Sequence, residues 1–206
     1  MALFAALLGE ALLLAPPGSD GTAGRVVDWL TGSWSGYEPM VVAHFQSMGV
    51  WPVVLAAMCA PWLRGRPVPL WPFALGSMAL GGFVLLPGLA LPRRAGPPVW
   101  GIGSRWVGVG AGVVTLALAG WALAAGHAGA WQTAYGSDQL VHVMTWDFIA
   151  LWAVSIGIAQ ARDGRGWWCV VPLLGACAWV ASRMWWTLGR LFRGRRPLHR
   201  RRRSPT

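Results

Sequence analysis

The chain has 206 residues, of which 55% are hydrophobic and only 12% are charged. An average soluble domain carries about 25% charged residues, roughly twice that share. The apolar residues form blocks of about 20, the length that crosses a bilayer, and most charges lie between the blocks or after them. This composition excludes an ordinary soluble domain. It predicts an all-α membrane protein with about five transmembrane helices and a short N-terminal interfacial helix.

The net charge of +10 is concentrated at the carboxyl end of the chain. Eight of the seventeen basic residues, all arginines, lie between Arg190 and Arg203. A polybasic segment next to an apolar block is typical of binding to anionic headgroups, at about 1 kcal/mol per arginine. We therefore expect the tail to contact membrane lipids or the acidic surface of a larger membrane complex. Its tether to the bilayer argues against a nucleic-acid partner.

Three regions follow from the pattern: residues 1–39, a transmembrane domain at 40–188 and an arginine-rich tail at 189–206. Residues 1–15 are apolar apart from Glu10 but are too short to cross a bilayer. They predict an interfacial helix, with a targeting remnant as the alternative. The residues from Gly18 to Pro39 predict a polar connector.

The five apolar blocks predict five spans joined by connections that carry most of the remaining charges. Gly108 and Gly112 form a GxxxG step, which is typical of close contact between membrane helices, and Ser77 with Gly81 forms a similar step.

Ten arginines lie on the side of the tail and six on the other side, so the positive-inside rule predicts a cytoplasmic or stromal tail. The predicted spans are Val41–Leu63, Phe73–Leu91, Trp106–Ala125, Leu140–Ala161 and Trp167–Leu188.

Asp147 and Arg183 are charged residues inside the fourth and fifth predicted spans. A charge deep in the bilayer costs about 2.5–3.5 kcal/mol on insertion scales, and antiparallel packing of these spans would bring the two to similar depth. The sequence therefore predicts a structural ion pair. A proton or ion pathway through Asp147 is the alternative.

Four polar residues near the beginnings of spans are candidate ligands of a pigment or haem. Glu38, His44 and Gln46 flank or begin the first span, and His142 begins the fourth. Each carries a lone pair that could ligate a chlorophyll magnesium or a haem iron. A lone interfacial histidine is more often only hydrogen-bonded or solvated. Five spans would place His44 and His142 on opposite sides, which disfavours a haem ligated by both.

Familiar catalytic signatures are absent from the sequence. There is no HxxxH, HxxHH or DDxxD set, so di-iron and prenyl-transferase chemistry lack their ligands, and there is no GxSxG elbow. Enzyme activity is left without support, which favours a non-catalytic protein.

Four features of the sequence stand out: Glu38-Pro-Met-Val-Val-Ala-His-Phe-Gln-Ser-Met-Gly-Val-Trp-Pro52, Pro69-Leu-Trp-Pro-Phe73, Leu85-Leu-Pro87 and Asp147. In these features the chain resembles a family of small uncharacterised multi-span membrane proteins of cyanobacteria and plastids. The resemblance implies a photosynthetic membrane, with the thylakoid as the expected location and the tail in the stroma.

On this basis we expect a non-catalytic subunit of a photosystem I or antenna supercomplex. It would pack against photosystem or antenna subunits and bind chlorophyll or carotenoid. The tryptophan content, 16 residues, suits packing against flat pigments. Two alternatives remain open: an enzyme of isoprenoid or carotenoid metabolism, and a small transporter that uses Asp147.

Overall fold

The computed structural model describes residues 2–18, 20–59, 71–90 and 102–182, and within these ranges all regular structure is helical. The predicted all-α class is confirmed. A 3-10 helix at Gly166–Val170 and a helix at residues 174–182, which we call α9, follow the last long helix. The other helices are α1 (Ala2–Leu13), α2 (Thr22–Thr31), α3 (Pro39–Cys59), α4 (Trp71–Leu80), α5 (Gly82–Ala90), α6 (Ile102–Ala125), α7 (Ala128–Ser137) and α8 (Gln139–Asp163).

Three helices in the described ranges are long and apolar enough to cross a membrane: Pro39–Cys59, Arg105–Ala125 and Gln139–Arg162. They belong to α3, α6 and α8, and they coincide with the first, third and fourth predicted spans. The structure is therefore compatible with an integral membrane protein. The second and fifth predicted spans have a different form.

α3 and α8 run parallel to each other. Near their beginnings, Nε2 of His44 lies 3.5 Å from the carbonyl oxygen of Met144. Near their ends, the guanidinium of Arg162 donates to the carbonyl of Met58 at 2.6 Å. The first and fourth of five full spans would run antiparallel. The expectation that His44 and His142 lie on opposite sides is therefore wrong.

α6 runs antiparallel to both α3 and α9. Gly126 follows the last residue of α6 and packs against Met40, near the beginning of α3. Farther along α6, a Cβ at Gly108 would lie 2.7 Å from the backbone nitrogen of Ala181 and 2.8 Å from the carbonyl oxygen of Cys177. The close approach expected at Gly108 is confirmed, because only glycine lets the two backbones meet at this distance.

The second predicted span is a helical hairpin rather than one continuous helix. α4 has 10 residues and α5 has 9, so each is about 15 Å long, half the thickness of the hydrocarbon layer. A Cβ at Gly76 would lie 3.1 Å from the side chain of Val84, and one at Gly88 would lie 2.5 Å from the ring of Phe73. In a straight helix Phe73 and Gly88 would be about 22 Å apart. The chain therefore folds back at Gly81.

Gly81 makes this turn because its backbone is left-handed, with φ of 57°. Glycine adopts this conformation without the steric cost that a Cβ imposes. Ser77 and Gly81 were expected to form a packing step on one helix. Ser77 is fully buried, but Gly81 lies in the turn between α4 and α5 and is not part of a helix.

The chain also folds back after α8, where the fifth span was predicted to begin at Trp167. The indole of Trp152 in α8 donates to the carbonyl of Cys169 at 2.6 Å, so the 3-10 helix returns along α8. The chain then turns at Leu173, whose φ is 58°, and α9 leads back along α6. The remainder of the predicted span, from residue 183, lies outside the described residues.

The predicted polar connector contains the helix α2, which sequence analysis missed. Trp29 of α2 is 1% exposed and packs edge-on against Tyr37 and at a tilt against Phe45. Arg25 of α2 forms an ion pair with Asp138, which also caps α8 by accepting from the backbone N–H of Leu140 at 2.9 Å. Burial alone would raise the pKa of Asp138, but the hydrogen bond and charge of Arg25 hold it below its ordinary value. α2 is thereby fastened to the beginnings of α3 and α8.

Replacing Gly81 with alanine should destabilise the hairpin. The left-handed conformation costs a non-glycine residue about 1–2 kcal/mol, and the new Cβ would overlap the carboxylate of Asp147. We expect a lower unfolding temperature in detergent. Gly120→Ala in α6 is the matched control, because a Cβ there has no neighbour within 4 Å. Equal unfolding temperatures for the two variants would contradict the left-handed turn.

Candidate functional site

The candidate site is built around Asp147 in α8, which is 3% exposed. The backbone N–H of Gly82 donates to both carboxylate oxygens, each at 2.8 Å. Gly82 is the first residue of α5, where backbone N–H groups have no partner within the helix and the helix dipole favours a negative charge. The carboxylate thus provides a hydrogen-bond acceptor for the first backbone N–H of α5, a helix that begins inside the bundle.

Two consecutive glycines make room for this contact. A Cβ at either Gly81 or Gly82 would overlap an oxygen of Asp147. Any other residue at these positions would push the tip of the hairpin away from α8. The missed signal in the sequence is this Gly-Gly pair in the middle of an apolar block, which marks a break as readily as a packing surface.

The predicted ion pair of Asp147 with Arg183 stays a prediction, because Arg183 lies outside the described residues. Among residues 2–18, 20–59, 71–90 and 102–182, no arginine or histidine forms an ion pair with Asp147. Its described polar contact is with the backbone of Gly82. In these ranges the charge of Asp147 is therefore met by a dipole rather than by a cation.

A cavity of about 220 Å³ lies beside Asp147. Its wall is formed by α3, α8 and the tip of the hairpin, where Gly81 and Phe83 lie. A carboxylate facing an otherwise apolar cavity can hold a small cation or a proton, since pairing removes the cost of the uncompensated charge.

A second cavity, of about 410 Å³, lies beside His44. The ring of His44 stacks on Trp131 at a centroid distance of 6.2 Å and tilts against Phe148 at 5.2 Å. The turn at Pro172 and Leu173 forms another part of the wall. Of the four candidate ligands, His44 is the one whose side chain lines this cavity.

Gln46 and Glu38 are engaged in contacts that fasten the helices together. The amide of Gln46 donates to the carbonyl of Trp29 at 2.6 Å. The carboxylate of Glu38 accepts from the backbone N–H of His127 at 2.6 Å, just before α7. Their proposed role as pigment ligands stays a prediction, and these bonds give each a structural role of its own.

His142 is held by contacts on both ring nitrogens. Its Nε2 lies 2.6 Å from a carboxylate oxygen of Glu10, and its Nδ1 lies 3.1 Å from the carbonyl oxygen of Tyr135. The pair joins α1 to the beginning of α8, with the Glu10 side chain 10% exposed and that of His142 14% exposed. A ligand at His142 would have to displace one of these contacts.

The described ranges contain no group of three or more histidine, cysteine, aspartate or glutamate side chains that could hold a metal.

Comparisons with protein-family models, curated proteins and solved structures find no match to this chain. The resemblance to cyanobacterial and plastid proteins therefore stays a prediction.

Proposed function

We propose that the protein is a small membrane transporter that moves a monovalent cation, the proton included, and that Asp147 binds this cation. The observation that carries the proposal is a buried carboxylate where two half-length helices meet inside the bundle. Ionisable residues inside membrane segments commonly mark ion pathways.

The energetic cost of Asp147 supports a role beyond capping. A neutral asparagine or serine would also accept a hydrogen bond from the first turn of α5. A carboxylate adds an insertion cost of about 2.5–3.5 kcal/mol for the charge. A cap alone does not need that charge, whereas binding a cation does.

The interrupted helices support the same proposal. Backbone that is not helical is tolerated at membrane depth where it is buried in protein or lines a cavity. In many secondary transporters, ions bind near the midplane where a helix is broken. The turn at Gly81 meets Met48, which lies near the middle of α3, and it lines the cavity beside Asp147.

Flux into liposomes that contain the purified protein tests the proposal. H⁺, Na⁺, K⁺ and Ag⁺ are supplied one at a time under a membrane potential, and we expect at least one flux above that of empty liposomes. Asp147→Asn should lower this flux at least tenfold while keeping the unfolding temperature, because asparagine still accepts from Gly82. Asp20→Asn, at an exposed position, is the control and should keep full flux. Equal flux in Asp147→Asn, or no flux above empty liposomes, would refute the proposal.

Pigment binding within a photosystem or antenna complex is the second candidate, and the cavity at His44 favours it. A histidine between the aromatic rings of Trp131 and Phe148 provides both a ligand and flat apolar surfaces. The lipid-facing surface of α6 could pack against neighbouring subunits. In this proposal the location is the plastid thylakoid.

Absorbance of the protein purified from its native membrane tests this second candidate. We expect chlorophyll or carotenoid bands, and His44→Leu should lower the pigment content per chain. His142→Leu is the comparison and should leave the content unchanged, since His142 is engaged by Glu10 and Tyr135. A colourless protein, or equal pigment content in both variants, would exclude ligation by His44.

The charge distribution supports one orientation in the membrane. We define the arginine-rich end of the bundle as the end where α3 and α8 end and α6 begins, and the acidic end as the opposite one. Arg105, Arg162 and Arg165 lie toward the arginine-rich end, whereas Glu38 and Asp138 lie at the acidic end. The chain also leaves α3 and enters α6 at the arginine-rich end, and residues 60–101 contain four more arginines. We propose that the arginine-rich end is cytoplasmic or stromal.

Labelling with a membrane-impermeant maleimide tests the orientation. Ser33→Cys lies at an exposed position just after α2, near the acidic end, and should react in intact cells. Ser204→Cys in the tail should react only after the membrane is opened. The wild-type chain is the control, because Cys59, Cys169 and Cys177 are buried. Labelling of the tail in intact cells would reverse the orientation.

A further inference from the structure

Three methionines line the same cavity as Asp147: Met48, Met78 and Met144. They are three of the seven in the chain, and they come from three different helices, α3, α4 and α8. Met144 precedes Asp147 by three residues, so the two lie about one helical turn apart on neighbouring positions of α8. The fold thus brings thioethers from three helices to the cavity beside one buried carboxylate.

We propose that this cavity binds a soft monovalent cation, Cu(I) or its analogue Ag(I), through the thioethers of Met48, Met78 and Met144 and the carboxylate of Asp147. The inference rests on the proposed function, because it names the cation that Asp147 would bind. It adds a ligand set that the carboxylate alone does not specify.

The single carboxylate selects for a charge of +1. One carboxylate and one monovalent cation form a neutral pair, which removes the cost of an isolated charge in an apolar setting. A divalent cation would leave a net charge of +1 in the cavity. Asp147 is the one ionisable residue of the cavity wall as described.

The other side chains of the wall select for a soft cation. Calcium binds six to eight oxygen ligands, and magnesium requires an octahedral oxygen shell. Apart from Asp147 and the methionines, the wall consists of Gly81 and apolar leucine, valine and phenylalanine side chains. Thioethers are soft ligands that favour Cu(I).

The methionines of the cavity wall differ in burial. Met48 and Met144 are 5% and 6% exposed, whereas Met78 on α4 is 42% exposed. The two buried thioethers therefore lie inside the cavity with Asp147, and Met78 lies at its edge.

Binding of Cu(I) to the purified full-length protein tests the inference. The titration is done anaerobically in detergent against a chromophoric Cu(I) chelator, and we expect one Cu(I) per chain. Met48→Leu and Met144→Leu should each raise the Kd at least tenfold. Each substitution removes a buried thioether ligand, while leucine fills nearly the same volume as methionine. Met58→Leu is the control, since Met58 is fully buried in α3 but does not line this cavity. It should leave the Kd unchanged.

The possible outcomes separate this inference from the proposed function. No bound Cu(I), or equal Kd values in the Met48, Met144 and Met58 variants at equal unfolding temperatures, would mean that the methionines only fill apolar space. The soft-cation site would then be refuted, while loss of another cation's flux in Asp147→Asn would still support transport. Methionine-dependent Cu(I) binding without flux of any cation would support the site and refute transport.

Discussion

The fold depends on the hydrogen bonds from Gly82 to Asp147. In a hydrocarbon interior each backbone N–H needs a partner, and a helix that begins at mid-depth exposes the N–H groups of its first turn. The carboxylate provides that partner for α5 and ties the tip of the hairpin to α8. Without an acceptor at this point, two helices of half the bilayer thickness would carry a desolvation cost of about 1–3 kcal/mol for this group alone.

The returning hairpin determines the arrangement of the other helices. Because α4 and α5 return as a hairpin, α3 and α6 are consecutive helices of membrane-spanning length and α8 is the third. This makes α3 parallel to α8 and places the beginnings of both at the acidic end. The same hairpin places Arg105, near the beginning of α6, at the end of the bundle where Arg162 lies near the end of α8.

Hydropathy predicts α3, α6 and α8 because their length and composition suffice. It could not predict the hairpin, since a block of about 20 apolar residues has the same composition whether it crosses or returns. The difference lies in Gly81, whose left-handed backbone is one of several states open to glycine. α2 was missed for the opposite reason: it is a short helix in a polar stretch, and its stability comes from tertiary contacts. Trp29 packs against Tyr37 and Phe45, and Arg25 pairs with Asp138.

The site was predictable only in part, and the reason is physical. Asp147 is conspicuous as a charge in an apolar block, but its described hydrogen-bond donor is a backbone N–H, which every residue except proline carries. Met48, Met78 and Met144 count as hydrophobic in any composition, so they are indistinguishable from residues that fill a core. Their sulfur atoms become potential ligands only when three helices bring them to one carboxylate. In a membrane protein, the thioether ligands of a soft-cation site are therefore not visible as polar residues in the sequence. Only the carboxylate that balances the charge of the ion stands out in an apolar block.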